Sequence, residues 1–191
     1  MSPIFIHYEY EHDIPQLTLY FITTKMTSAF SQVKLGSLDQ ETSALFICDL
    51  QEKFSSVISH FPQVIENTKK LLEGCKLLKI PIIVTEQYPK GLGKTVSDLD
   101  VKECHVVAKT LFNMLVPEVL NLTQSICDKN LKSVVLLGVE AHVCVEQTAI
   151  DLVSRGFTVH VVADCCSSRS QEDRFLAFQR LKQIGCYITY K

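Results

Sequence analysis

The sequence lacks long apolar runs and an excess of charge of either sign. Its longest apolar stretches, such as LTLYFITT and SVVLLGV, are far shorter than the ~20 residues that a membrane-spanning helix needs. The early Glu9, Glu11 and Asp13 do not fit the order of a secretory signal peptide. Because the net charge is -2 and the lysines are scattered, the chain offers no basic surface for nucleic acid. We therefore expect a soluble protein without membrane or nucleic-acid partners.

The sequence also lacks a CxxC pair, although it contains eight cysteines. Disulfide scaffolds are usually short secreted chains with little apolar core, whereas 47% of these 191 residues are hydrophobic. Cys165 and Cys166 are adjacent, which fits neither a simple disulfide framework nor a zinc knuckle. We interpret the cysteines as reduced thiols and expect a cytoplasmic protein, with an organelle left open.

The chain divides into two parts of different pattern. Residues 1–40 mix aromatic, polar and charged types without sustained periodicity, and we interpret them as an irregular N-terminal extension. From Ser43 onward, apolar runs typical of buried strands alternate with segments of helical spacing. Residues 41–191 are therefore predicted to form one α/β domain with a mostly parallel sheet, because each crossover returns the chain in the same direction.

Apolar runs predict the strands, which read, in chain order, ALFICDL, IPIIVTE, HVVAK, SVVLLG, TVHVVAD and CYITY. Helices are predicted over about 62–79, 116–127, 141–155 and 170–183, the last with Ser170 as its N-cap. The proline and glycine content of YPKGLGKT predicts a loop between the second and third strands.

Three residues with useful chemistry end or follow these apolar runs: Asp49, Lys109 and Cys144. Ligands collect at the carboxyl ends of parallel strands, so the three side chains could converge at one edge of the sheet. Cys144 lies where a strand gives way to a helix, whose dipole favours a thiolate. Each residue also has a plainer interpretation: a turn former for Asp49, a surface charge for Lys109 and a small buried hydrophobic residue for Cys144.

The sequence around these residues carries a family resemblance. The segments ICDLQEKF, VTEQYPKGLGKT, VVAKTLFNM and VVLLGVEAHVCVEQTAIDLVSRGFTVHVVADCCSSRSQEDR resemble the isochorismatase-like cysteine hydrolase superfamily, and within it the eukaryotic isochorismatase domain-containing proteins. The resemblance implies a three-layer α/β/α sandwich and a catalytic triad of Asp49, Lys109 and Cys144. It also implies a cis peptide bond between Val139 and Glu140, where backbone N–H groups of Glu140 and Cys144 would face an oxyanion.

Departures from relatives in the same superfamily narrow the prediction. Nicotinamidases carry a metal site with an Asp and two His after the second strand, whereas EQYPKGLGKT contains no histidine, so we expect neither metal nor other cofactor. Isochorismatases proper generally lack a cysteine nucleophile, so Cys144 argues against isochorismate as the substrate. Close relatives continue into a further C-terminal helix after the strand that corresponds to CYITY, and the domain is expected to lack that helix.

Four further residues are weaker candidates for a substrate pocket. Glu86, Gln87 and Tyr88 end the second predicted strand, although any polar exit from a strand has this composition. Phe112 follows Lys109 and could form a wall of the site, although such a residue is more often part of the core. His142 suggests a Cys/His dyad, but a histidine at a helix start is more often a polar edge group.

The favoured hypothesis is a metal-independent cysteine hydrolase that acts on a small amide or related molecule, and the resemblance implies a homo-oligomer. An alternative is a catalytically weak or inactive family member that acts as a binding or scaffolding protein. A third hypothesis is thiol-based redox sensing, which predicts reversible oxidation of Cys144 without a hydrolysed product.

Overall fold

One sheet of six strands organises the part of the chain that the computed structural model describes, residues 36–191. Most of the predicted extension, residues 1–40, lies outside the described residues. The strands are β1 (Ser43–Cys48), β2 (Ile82–Gln87), β3 (His105–Lys109), β4 (Ser133–Gly138), β5 (Thr158–Cys166) and β6 (Tyr187–Thr189). Their order is β3-β2-β1-β4-β5-β6, and every neighbouring pair is parallel.

Helices connect these strands and cover the sheet. They are α1 (Phe61–Leu77), α2 (Pro89–Leu92), α3 (Pro117–Thr123), α4 (Glu146–Ser154) and α5 (Gln171–Gln183). The chain runs one way from β1 to β3 and the other way from β4 to β6, so right-handed crossovers place the helices of the two halves on opposite faces. This arrangement confirms the predicted α/β class, with a sheet that is wholly rather than mostly parallel.

The order in which the chain adds strands to the sheet reverses between β1 and β4, although the two strands are parallel. A glycine at the end of β4 allows the close approach of these two strands. All six residues of β1 are buried, as expected of a central strand covered on both faces. Gly138 ends β4 with a φ of +123°, and a Cβ there would lie 2.0 Å from the carbonyl oxygen of Cys48. Ligands of doubly wound sheets bind outside the carboxyl ends of the strands at such a reversal.

Some predicted boundaries differ from the structure. The loop predicted for YPKGLGKT contains the short helix α2, which begins at Pro89 because proline at the first helical position is already set at a helical φ. The continuous helix predicted over 141–155 begins instead with a π-helical turn, Ala141–Val145, and only then continues as α4. Ser170 caps α5 as predicted, since its hydroxyl accepts a hydrogen bond from the backbone N–H of Asp173.

The helices are short or amphipathic. Within residues 36–191, none has the length and apolar character needed to cross a bilayer.

Candidate active site

Asp49 and Lys109 form a buried ion pair at the carboxyl edge of the sheet. Asp49 directly follows β1, and Lys109 is the last residue of β3, on the far side of β2. Neighbouring strands lie ~4.8 Å apart, so only a long side chain can pass the end of β2 to reach Asp49. Nζ of Lys109 lies 2.7 Å from Oδ2 of Asp49, and both side chains are 0% exposed.

Polar groups of the protein surround both charges. The hydroxyl of Thr85 donates to Oδ1 of Asp49 at 2.7 Å. The ammonium group of Lys109 also donates to Oε1 of Gln87 at 2.7 Å and to the carbonyl oxygens of Leu111 and Phe112, each at 3.1 Å. A lysine has three N–H donors, so these contacts satisfy it without water. Such hydrogen bonds offset the desolvation cost of a buried ion pair.

The charges near Lys109 keep it protonated. Burial alone would lower the pKa of Lys109, because it disfavours the charged form. The negative charges that Cys48, Asp49 and Cys144 can carry outweigh this effect, and the pKa of Lys109 is raised. The site therefore contains a permanent cation at neutral pH.

Cys144 lies after β4, the neighbour of β1 on the side away from β2 and β3. It lies in the π-helical turn Ala141–Val145, which follows β4 after the peptide bond between Val139 and Glu140, and that bond is cis. Cys144 is 5% exposed. The hydroxyl of Thr148 donates to the carbonyl oxygen of Cys144 at 2.6 Å, which fixes the turn to α4. The structure thus brings together the three residues that the sequence singled out.

A second thiol, that of Cys48, belongs to the same cluster. Sγ of Cys48, Sγ of Cys144 and a carboxylate oxygen of Asp49 all lie within 4.8 Å of one another. Burial raises the pKa of Cys48 well above its ordinary value, and the neighbouring Cys144 and Asp49 raise it further. Sequence reasoning missed Cys48, because successive residues of a strand face opposite sides. Asp49 has a left-handed φ of 53°, which ends that alternation.

The same three side chains are the candidate metal ligands of the described residues. Two sulfurs and one carboxylate are a donor set that zinc accepts. Here, however, the carboxylate already accepts a hydrogen bond on each oxygen, from Thr85 and from Lys109. The positive charge beside the sulfurs is thus supplied by a lysine.

A cavity of about 500 Å³ opens beside Lys109. Its lining includes Tyr88, Lys90, Leu111 and Val116, so much of its wall is apolar. This volume lies within the ~300–1,000 Å³ typical of small-molecule sites.

The predicted pocket residues occupy different positions. Tyr88 lines the cavity, and Gln87 contacts Lys109 instead. Glu86 is not among the residues that line the cavity, and its carboxylate accepts hydrogen bonds from the backbone N–H and hydroxyl of Thr95, at 2.8 and 3.0 Å. Phe112 contributes its carbonyl oxygen to Lys109, while 52% of the residue is exposed.

His142 forms a hydrogen bond with a residue outside the cluster. Its Nδ1 lies 2.9 Å from the hydroxyl of Ser168. This contact fits the interpretation of His142 as a polar edge group rather than the base of a Cys/His dyad.

Known proteins are similar to this chain in sequence and in fold. Residues 43–190 match the Isochorismatase domain family. Isochorismatase domain-containing protein 2 of Xenopus laevis is 47% identical over 156 residues, which cover 82% of this chain and 75% of that protein. Isochorismatase domain-containing protein 1 of Danio rerio is 48% identical over 156 residues, which cover 81% of this chain and 54% of that protein, so the chain spans about half its length.

A solved structure is also similar to this chain in fold and in sequence. The MAR1 ribonuclease of Caenorhabditis elegans has a TM-score of 0.76 and 46% sequence identity, over 80% of this chain and 79% of that chain. The resemblance predicted from the sequence and the predicted isochorismatase-like α/β/α fold are both confirmed. This chain belongs to the isochorismatase family.

Proposed function

We propose that this protein is a metal-independent cysteine hydrolase of small amides or related molecules, with Cys144 as nucleophile. The observation that carries the proposal is the contact cluster in which the sulfur of Cys144 lies within 4.8 Å of Asp49, while Asp49 is bonded to the buried Lys109. A nucleophilic thiol needs a base to take its proton and a cation to stabilise the thiolate, and these two residues are of the matching types.

In the proposed first step, Asp49 accepts the proton of the Cys144 thiol, and the sulfur attacks the carbonyl carbon of the amide. The C–N bond then breaks, Asp49 gives its proton to the leaving nitrogen, and a thioester remains on Cys144. Water attacks the thioester while Asp49 takes a proton from it. The acid product leaves, and the proton returns to the sulfur.

Backbone N–H groups supply the proposed oxyanion site. Glu140 precedes the turn after β4 and Cys144 lies within it, and their N–H groups would donate to the negative oxygen of the tetrahedral intermediate. A donor of this kind contributes roughly 3 to 4 kcal/mol to transition-state stabilisation. Lys109 keeps a positive charge beside Asp49, since its pKa is raised by the negative charges around it.

Release of ammonia from a panel of small aliphatic and aromatic primary amides tests the proposal. We expect at least one amide to be hydrolysed, and Cys144→Ala to lower its rate by about 10³-fold or more. Cys186→Ala is the matched control, because Cys186 is 6% exposed against 5% for Cys144 and lies outside the cluster. The control should keep the wild-type rate.

Two outcomes would oppose the proposal. Ammonia release at equal rates in wild type and Cys144→Ala would exclude Cys144 as the nucleophile. No turnover of any amide, together with ordinary reactivity of Cys144, would favour the alternative of a binding or scaffolding protein. Because a relative with 46% identity is named a ribonuclease, RNA belongs in the panel, and we expect no cleavage of RNA that depends on Cys144.

The predicted homo-oligomer and cytoplasmic location stay predictions. Phe175 and Leu176 of α5 are 59% and 63% exposed, and such apolar side chains are suited to contact a second copy. Light scattering of the purified chain measures the assembly directly, and a monomeric mass would refute it.

A further inference from the structure

The proposed mechanism uses one sulfur of the cluster, yet the cluster contains two. Cys48 is fully buried at the end of β1, and its Sγ lies within 4.8 Å of Sγ of Cys144. Neither the ion pair of Asp49 and Lys109 nor the proposed hydrolysis needs a thiol at position 48. The two sulfurs are close enough to suggest a reaction between Cys48 and Cys144 that is separate from the proposed hydrolysis.

The surroundings of Cys48 oppose a negative charge on its sulfur. One ammonium group, that of Lys109, faces Asp49, Cys48 and Cys144, which can all be negative. A thiolate at Cys48 would lie within 4.8 Å of the carboxylate of Asp49, which like-charge repulsion opposes. Burial and these neighbours raise the pKa of Cys48 well above its ordinary value, so Cys48 stays a thiol.

We propose that Cys48 and Cys144 are an oxidisable pair, in which hydrogen peroxide reacts with Cys144 and Cys48 then closes a reversible disulfide. In the first step the thiolate of Cys144 attacks one peroxide oxygen, the O–O bond breaks, and a sulfenic acid and hydroxide result. In the second step the sulfur of Cys48 attacks the sulfur of the sulfenic acid. The S–S bond forms, the S–O bond breaks, and water leaves with the proton of Cys48.

The other cysteines do not offer this combination. Cys165 and Cys166 are adjacent in β5, where successive side chains point to opposite faces of the sheet. Burial raises the pKa of Cys166 and of Cys186 to about 12, so neither is a thiolate at neutral pH. Among the described residues, the one group of three or more potential ligand atoms within 4.8 Å contains the Cys48 and Cys144 sulfurs.

The disulfide would have two consequences for the site. It occupies the sulfur of the proposed nucleophile, so hydrolysis stops until a dithiol reductant restores both thiols. It also prevents further oxidation of Cys144 to sulfinic acid, which ordinary thiols do not reverse. The inference rests on the proposed function in one respect, since it requires Cys144 to be the reactive thiol of the cluster.

Mass spectrometry of the native full chain after graded hydrogen peroxide tests the inference. Trypsin releases Cys48 and Cys144 in separate peptides, 35–53 and 133–155, each with a single cysteine. In wild type we expect a disulfide-linked pair of these peptides, which disappears after dithiothreitol. In Cys48→Ala we expect Cys144 to gain two oxygen atoms, with a roughly tenfold lower recovery of its free thiol after dithiothreitol. Cys186→Ala should behave as wild type.

The readout in wild type needs no variant, so a folding defect of Cys48→Ala, detected by its melting curve, does not remove the test. Cys48→Ser serves as a second variant with nearly the same volume. If no linked peptide forms and Cys144 is recovered equally in wild type and Cys48→Ala, the inference is wrong. If Cys144 is oxidised first but never links to Cys48, only this inference fails. If Cys144 reacts no faster than Cys186, the proposed function fails as well.

Discussion

Two regions of the sheet contain equally buried cysteines in different surroundings. At the carboxyl end of β1, Cys48 and Cys144 share a cluster with the ion pair of Asp49 and Lys109. At the β5 and β6 side of the sheet, Cys166 and Cys186 are 1% and 6% exposed, and burial raises the pKa of both to about 12. Burial therefore keeps the thiols of Cys166 and Cys186 protonated, and we expect a reactive thiol to need a cation and a base beside it.

A cation near Cys166, Arg174, makes different hydrogen bonds from those of Lys109. The guanidinium group of Arg174 donates to the backbone carbonyl oxygens of Cys166 and Ala163, so it anchors α5 to the end of β5. Although its charge acts to lower the pKa of Cys166, the effect of burial is larger. Lys109, in contrast, bonds to a carboxylate with an oxygen within 4.8 Å of both sulfurs of the cluster.

Of the changes considered, removal of the Lys109 charge should have the largest effect, and the effect is on the free energy of unfolding. Lys109→Met keeps most of the side-chain volume but leaves the carboxylate of Asp49 buried without its partner. Breaking a buried pair in this way costs about 3 to 5 kcal/mol of unfolding free energy. Urea unfolding followed by circular dichroism measures the loss.

Lys76→Met is the control for this prediction. Lys76 pairs with Asp100 on the surface, at 2.9 Å, where water screens both charges. Equal losses of unfolding free energy in Lys109→Met and Lys76→Met would show that the buried pair stabilises the fold no more than the surface pair does.

A smaller effect should appear on the alkaline side of the stability profile. The pKa of Cys166 is raised above that of the unfolded chain, so its contribution to stability is complete below about pH 8.5 and declines toward pH 12. The decline for one such thiol is at most about 1.4 kcal/mol per pH unit. Melting temperatures from pH 7 to pH 10 should therefore fall less steeply in Cys166→Ala than in wild type. Parallel curves would contradict the inert, protonated state of Cys166.

Part of the site could be predicted from the sequence. Asp49 and Lys109 stand at the ends of apolar runs, and strand and helix alternation requires parallel strands whose carboxyl ends meet at one edge. The position of Cys144 followed from the transition between β4 and the next helix. These inferences needed only the period of the pattern and the direction of the strands.

The rest of the site depends on backbone details that have no signal in the pattern. Cys48 and Asp49 share the cluster although strand alternation places neighbouring side chains on opposite faces, and Asp49 has a left-handed backbone conformation. The carbonyl oxygens of Leu111 and Phe112 bond Lys109 through a loop whose path follows from tertiary packing. Glu86 was predicted near the pocket because of its place in the sequence, and in the structure its carboxylate accepts hydrogen bonds from Thr95.

The central claim is that Cys144 is an activated nucleophile, and its rate of alkylation tests this claim most directly. Iodoacetamide is added to the native protein at pH 7, and the peptides 133–155 and 183–191 report on Cys144 and on Cys186, its control of equal burial. We predict that Cys144 is alkylated at least about tenfold faster than Cys186, and that Asp49→Asn and Lys109→Met each remove this advantage. Equal rates for the two cysteines in wild type would contradict the account.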